Sequence, residues 1–417
     1  MSYMKTLLCT SLFLTQTMIH AGSLETSLMD NAENCSHCPI HHSLNGKKGG
    51  VSMVQVKGYD DGSTTQSLGT SGNSSSNSLS SSQDLELQFS GEFLYLRAIE
   101  EGLDYALLSP VQKGSENTFL AGGAWGSVSR IQPGFHAGYR VGASYAPSNG
   151  KLQASVQWMH YKLTSLSSVN VPSPAISPVQ PTDIIWPNWA LQWGVPNAQE
   201  ALASWNLKMD VVDATMGAQF SPGKVVSVRP FAGFRGASIR QTLAANYLQV
   251  YMNTGASTDN GETVYNPTYT AMSPTAHWKN QGYGIVGGVD TQLMLGQGFS
   301  FFCQGTGSLL MGRIHPLFTQ DTVGLPTDGV LPPAQQNMHV TNAQFVTTPV
   351  FEAIAGIGYQ HDWKKVGVDL KLGWEEQFWG NQNFMPRFLS QSGSGYSFND
   401  SGSLSLGGYS IKATLKF

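Results

Sequence analysis

Residues 407–417 alternate with a period of two. Tyr409, Ile411, Ala413, Leu415 and Phe417 are apolar, and Ser410, Lys412, Thr414 and Lys416 between them are polar. Successive side chains of a strand point to opposite faces, so this segment is greasy on one side and wet on the other. The pattern recurs along the chain at lengths near the ~9–11 residues that a tilted strand needs to cross a bilayer. In lipid every backbone polar group must be paired internally, and strands achieve this only in a closed ring. The expected fold is therefore all-β, a transmembrane antiparallel up-and-down β-barrel.

Composition agrees with that class and excludes others. Net charge is −4, so there is no basic footprint for nucleic acid. Only 12% of residues are charged, yet mean hydropathy is slightly negative. A helical membrane protein would be far greasier, whereas a barrel keeps a polar interior. Aromatic residues make up 11%, enough to furnish interfacial girdles. After the N-terminus no apolar run approaches the ~18 residues of a spanning helix.

Residues 1–21 read as a secretory signal peptide: Lys5 begins it, an apolar stretch covers 6–19, and Ile19-His20-Ala21 offers a cleavage site. Residues 22–84 read as a flexible Ser/Gly-rich periplasmic segment. Its part 63–82 has almost no apolar side chain with which to offset ordering entropy. Cys35 and Cys38 lie in this segment beside His37, His41 and His42. Export permits a disulfide, for which Cys35 and Cys38 are the candidates. Ligands crowded into eight residues do not match the two-pair spacing of zinc sites, so no metal and no cofactor is assigned. Cys303 sits alone in a strand pattern.

The barrel domain spans 85–417. Its strands are read at 85–96, 135–145, 152–163, 203–220, 225–242, 282–295, 299–311, 346–360, 366–378 and 404–417. The fourth shifts its apolar register near Val211-Val212, which suggests a bulge. Asn149-Gly150 marks a tight hairpin after the second strand, and Gly296-Gln297-Gly298 another. Repeated prolines, such as Pro172, Pro174, Pro178 and Pro181, make 164–201 a loop. Connections of ~25–40 residues alternate with connections of ~3–6, as external loops alternate with periplasmic turns. Ten strands are counted. A hairpin hidden in 243–281 (248–252 with 262–265) would raise the number to twelve or more.

The register can be checked by energy. A Lys or Arg on the lipid face near mid-bilayer costs roughly 2–4 kcal/mol. Arg140, Lys371 and Lys412 all fall on polar faces. A slip by one residue would move each into lipid.

Three stretches resemble the major outer membrane protein family of Legionella and chlamydia-related bacteria: Gly91-Glu92-Phe93-Leu94-Tyr95-Leu96, Arg229-Pro230-Phe231-Ala232-Gly233-Phe234-Arg235-Gly236-Ala237, and 404–417. The similarity covers about 85–417. It implies a pore-forming protein of the bacterial cell outer membrane, a general porin. The closing strand ending in Phe417, with Tyr409, Ile411, Ala413 and Leu415 two apart before it, also resembles the signal read by the outer-membrane assembly machinery.

The expected function is a channel for small hydrophilic solutes and ions. Its candidate pore-lining residues are Glu86, Glu92, Arg140, Arg229, Arg235, Glu352, Asp369, Lys371 and Lys412, because charged rings select ions by field and size. The alternative is a narrow plugged barrel, structural or adhesive, since ~8-stranded barrels fill with their own side chains and ~16–18 strands leave a clear channel. A barrel protease or lipase would need a His convergent with Asp or Ser at one rim. His136 and His160 lie in strands, His361-Asp362 lies on a periplasmic turn, and no nucleophile motif accompanies them. No catalytic residue is assigned. The expected partners are outer-membrane lipid and lipopolysaccharide, the assembly machinery, small solutes, and other copies in an oligomer.

Overall fold

The computed structural model describes residues 86–110, 126–146, 152–171, 183–189, 198–223, 225–250, 256–259, 262–265, 269–324, 335–363, 366–388 and 397–417. The leader, the Ser-rich segment with Cys35 and Cys38, and the turn containing Asn149-Gly150 lie outside these residues. The strands are β1 (Glu86–Glu100), β2 (Asp104–Pro110), β3 (Ser127–Arg130), β4 (Phe135–Ala146), β5 (Leu152–Asn170), β6 (Asp183–Pro187), β7 (Glu200–Ala218) and β8 (Val226–Val250). They continue with β9 (Ala256–Asp259), β10 (Glu262–Tyr265), β11 (Tyr269–Gly296), β12 (Phe299–Gly324), β13 (Gln335–Thr341), β14 (Gln344–Asp362), β15 (Gly367–Phe388) and β16 (Ser397–Lys416).

Ten of them form one antiparallel ring in chain order: β1, β4, β5, β7, β8, β11, β12, β14, β15 and β16. β16 returns to β1 from Gln88↔Lys416 to Glu100↔Leu404, which closes the wall and removes its edges. The ring is the up-and-down barrel that the alternation predicts. At one end its strands are joined by tight connections. In the β11–β12 turn Gly296, Gln297 and Gly298 all have positive φ, and a Cβ on Gly298 would run into the Gln360 carbonyl oxygen.

The outer surface carries the apolar alternation. On β1 the outward residues Leu87, Phe89, Phe93 and Tyr95 are each 42–50% exposed, and the residues between them point inside. Aromatic pairs border this band on both sides. Phe89–Phe417 (6.3 Å) and Phe299–Tyr359 (5.0 Å) lie near the tight turns. Tyr95–Phe135 (5.3 Å) and Trp374–Tyr409 (4.8 Å) lie on the other side. Amphipathic rings favour such interfacial positions. Tyr409, Ile411, Ala413, Leu415 and Phe417 face this outer surface.

Three expectations are corrected. First, the strands are longer than the sequence pattern suggests: β8, β11, β12 and β15 have 25, 28, 26 and 22 residues. Strands of ~9–11 residues would cross the bilayer, so much of the wall stands beyond it. The segments read as loops accordingly contain strand ends, together with the separate sheet β3-β2-β6. Second, the hairpin within 243–281 is β9–β10, a two-stranded sheet of its own that does not widen the ring. Leu248 belongs to β8. Third, β7 has no bulge at Val211-Val212, since its pairing to β5 and β8 runs without a shift. The apolar register changes there because the interior changes. Below this point β7 points Asp213 and Thr215 inward; from it upward it points Val211, Met209, Leu207 and Trp205 inward.

Candidate functional site: the barrel lumen

The lumen is organised in two storeys. The lower storey, towards the tight turns, is polar. Glu92 on β1 and Arg140 on β4 are cross-strand partners, as are Asp213 on β7 and Arg235 on β8. All four side chains point inward at nearly full burial. Arg140 Nη1 donates to Glu92 Oε2 at 2.9 Å, and its Nη2 donates to Glu375 Oε1 on β15 at 2.6 Å. Arg235 grips Asp213 through Nε and Nη2, both at 2.7 Å. It also reaches Glu352 on β14 through Nη1 and Nη2, both at 2.9 Å. Each arginine thus ties its own pair of strands to a strand three places along the ring, in the two-pronged geometry that a planar guanidinium favours.

Gly284 on β11 is imposed by the close approach of the β12 backbone. It lies directly across from Arg235, and a Cβ there would run into the Leu309 carbonyl oxygen. β11 is poor in side chains on its inward face at this height, with Gly282, Gly284 and Gly288 in alternation, so the guanidinium can extend past it to β14.

Beneath the arginine belt is a cavity of about 800 Å³, lined by groups such as Gln88, Ser144, Gln153, Arg229, Asp290 and Lys412. Its lower rim is formed at the turn end by Gln219, Trp363 and Phe417. Arg229 pairs with Asp290 and donates to Gln153 Oε1 at 2.8 Å. Lys371 lies 3.5 Å from Asp369 and 5.3 Å above the Phe302 ring.

The upper storey is a packed apolar core. Leu94, Leu96, Leu207, Trp205 and Trp379 are at most 1% exposed. The polar atoms of its aromatics are satisfied. Tyr161 donates to the Leu96 carbonyl at 2.8 Å, Trp205 to Gln241 at 3.0 Å, and Trp379 to Gln377 at 3.0 Å. Trp278 donates to the Gln382 carbonyl at 3.0 Å. Buried aromatic donors need such partners. The two storeys meet at Arg235, whose guanidinium lies 5.8 Å from the Trp379 ring.

Among the charges expected on the pore wall, Glu92, Arg140, Arg235 and Glu352 meet in the belt. Arg229, Asp369, Lys371 and Lys412 line the cavity below. Glu86 opens β1, and its side chain lies outside the described residues. The list lacked Glu375, Asp213 and Asp290. Glu375 alternates in step with Asp369 and Lys371 and was legible from that alone. Asp213 was hidden by the expected bulge, and Asp290 by the glycine-rich strand around it. His136 faces in, whereas His160 faces out and holds Asp210 at 2.7 Å. His361 and Asp362 are exposed at the end of β14. Cys303 is a free thiol on the outer face of β12.

A family model described as Legionella pneumophila major outer membrane protein precursor matches residues 81–417. Among curated proteins none matches. Solved structures similar to the chain include the outer membrane protease OmpT of Escherichia coli, at 11% identity and a TM-score of 0.36, covering 82% of this chain and 99% of that one. The Pseudomonas putida toluene transporter TodX matches at 8% identity and a TM-score of 0.25, covering 79% and 89%. A Pseudomonas aeruginosa FadL homologue matches at 8% and 0.24, covering 80% and 90%.

Proposed function

The chain belongs to the Legionella major outer membrane protein family, and on that premise we propose that it serves the outer membrane as a closed, rigid barrel that presents long extracellular loops, rather than as an open general porin. The filled upper lumen carries this reading. Trp205, Trp379, Leu94, Leu96 and Leu207 occupy the interior at a density that leaves them essentially unexposed. Ten strands lie close to the ~8-stranded size at which side chains fill the interior. The long strands add a second argument: a wall extended beyond the bilayer and stiffened by an internal core is suited to holding loops away from the surface. We assign no catalytic role. The C-terminal strand is the segment we expect the assembly machinery to read.

The runner-up is a pore for small hydrophilic solutes and ions. It is favoured by the polar cavity of about 800 Å³, into which Arg229, Lys371 and Lys412 converge. Conduction through it would require both the arginine belt and the apolar layer above to move. Single-channel recording in planar bilayers separates the two readings, using refolded full-length protein whose folding is verified by a heat-modifiable gel shift. A closed barrel gives a silent membrane. Discrete, reproducible conductance steps would establish the pore and refute the closed barrel.

A further inference from the structure

Five basic residues stand side by side on the outer wall. The register places Lys162 of β5 opposite Lys208 of β7, Lys208 opposite Arg240 of β8, Arg240 opposite Lys279 of β11, and Lys279 opposite His315 of β12. All five point outward, since their chain neighbours Tyr161, Leu207, Ile239, Trp278 and Ile314 are buried inside. None of the five takes part in an ion pair among the described residues. Directly opposed like charges destabilise a sheet. A row of four or five therefore calls for an anion that the chain does not itself supply. Asp210, the acid on the adjoining row, is already engaged by His160 at 2.7 Å.

The surroundings identify the kind of anion. The row above is polar and internally bonded, with Thr164–Asn206 at 2.7 Å and Thr242–His277 at 2.9 Å. The row below the His160–Asp210 pair is Trp158, Val212, Gly236, Tyr283 and Met311, and beneath it come Val156, Ala214, Phe234, Ile285 and Leu309. Phe234 and Tyr283 are each 71% exposed and Ile285 is 65% exposed, so this is surface built for acyl chains. A ligand fitting both zones has negative charge at its head, level with the cations and with Arg313 of the intervening row His160, Asp210, Ser238, Gln281 and Arg313, and hydrocarbon below that row. We propose that the outer face of β5, β7, β8, β11 and β12 is a binding site for a phosphorylated acyl lipid of the outer leaflet, its phosphates on Lys162, Lys208, Arg240 and Lys279 and its chains on the Trp158–Met311 and Val156–Leu309 rows. A soluble acidic protein would satisfy the cations but not the apolar rows. The site rests on placing the lower outer surface in lipid and is independent of whether the lumen conducts.

The test compares full-length wild-type protein with the double variant Lys208→Gln/Arg240→Gln and with Arg97→Gln, which removes an outward cation on β1, away from the row. Each is reconstituted in neutral phosphatidylcholine nanodiscs doped with bisphosphorylated lipid A or with the same lipid stripped of phosphate, and retained lipid is read by native mass spectrometry. Wild type and Arg97→Gln should retain the phosphorylated lipid. The double variant should retain about thirty-fold less, from the loss of two surface charges against an anionic lipid. The gel shift verifies that all three fold. Equal retention by the double variant, equal retention of the stripped lipid, or full displacement by inorganic phosphate at the lipid's own concentration would each overturn the site.

Discussion

Replacing Arg235 by Leu tests the lower storey of the lumen more directly than any other single change. The side chain is 2% exposed and holds two carboxylates at once, Asp213 at 5% exposure and Glu352 at 11%. Leucine removes four charge-assisted hydrogen bonds of 2.7–2.9 Å and leaves both acids inside the wall. Asp213 retains Gln157, whose Nε2 donates to it at 3.0 Å, whereas Glu352 loses the cation that faces it. Breaking a buried pair by removing one partner costs about 3–5 kcal/mol, because an uncompensated charge stays behind. The expectation is a loss of that size, read by urea unfolding in phospholipid micelles with tryptophan fluorescence. Arg97→Leu, on the outer face, should stay within about 0.5 kcal/mol.

A compensated variant separates charge from packing. Arg235→Leu with Asp213→Asn and Glu352→Gln removes all three charges of this cluster, so most of the loss should return. Neither variant should conduct, because Leu94, Leu207 and Trp379 still fill the storey above. A cost for Arg235→Leu below about 1 kcal/mol, the range of solvated surface pairs, would show that the guanidinium is wet and that the belt seals nothing. Conductance steps from the single variant would show that the belt alone is the barrier and would refute the role given to the apolar core.

Three further outcomes are expected. Trp379→Ala should cost about 3–5 kcal/mol as a core cavity, measured in the same unfolding assay, with no compensated form obtainable by charge changes. Tyr283→Lys, which puts a cation on the lipid face, should cost roughly 2–4 kcal/mol if the residue sits near mid-bilayer and less near the interface; Lys279→Tyr, two outward positions higher, should be nearly neutral. Cys303, free on the outer face of β12, should react on intact membranes with an apolar maleimide and stay protected from a charged, membrane-impermeant one; equal labelling by both would move the lipid band.

The outer face was readable from the chain because it has one solvent throughout the bilayer. Leu87, Phe89, Phe93 and Tyr95 share one face, with only Gly91 between them. The C-terminal set from Tyr409 to Phe417 does the same. The interior has no single character, and the alternation fails wherever it changes. At Val211-Val212 both faces are apolar, one turned to lipid and one to the core, which a period of two cannot distinguish from a bulge. The same effect hid the upper halves of β8, β11 and β12. There the inward residues Ile239, Leu243, Trp278 and Phe318 are buried and the outward residues Arg240, Thr242, Lys279 and His315 are wet. The polarity has inverted relative to the membrane half. The charges of the lumen were legible as inward positions. Their pairing was not, because Arg140–Glu375 and Arg235–Glu352 join strands that are not neighbours in the ring.

That inversion also explains why strands of 25–28 residues must carry a core. Within the bilayer the wall is stabilised from outside, by hydrocarbon against its apolar rows. Above the bilayer both sides of an empty barrel would face water, and backbone pairing alone contributes little net stability because water competes for the same groups. The extracellular half therefore has to bury apolar area internally, as a soluble domain does, at roughly 25 cal/mol per Å². Trp205, Trp379, Tyr247 and Phe318, each at most 1% exposed, meet that need. A narrow barrel with long strands is thus driven towards a filled upper lumen by the same physics that leaves its lower lumen polar. The boundary between the two regimes lies at Arg140 and Arg235. Shortening β8, β11 and β12 to their membrane halves should remove the need for the core, and with it the seal.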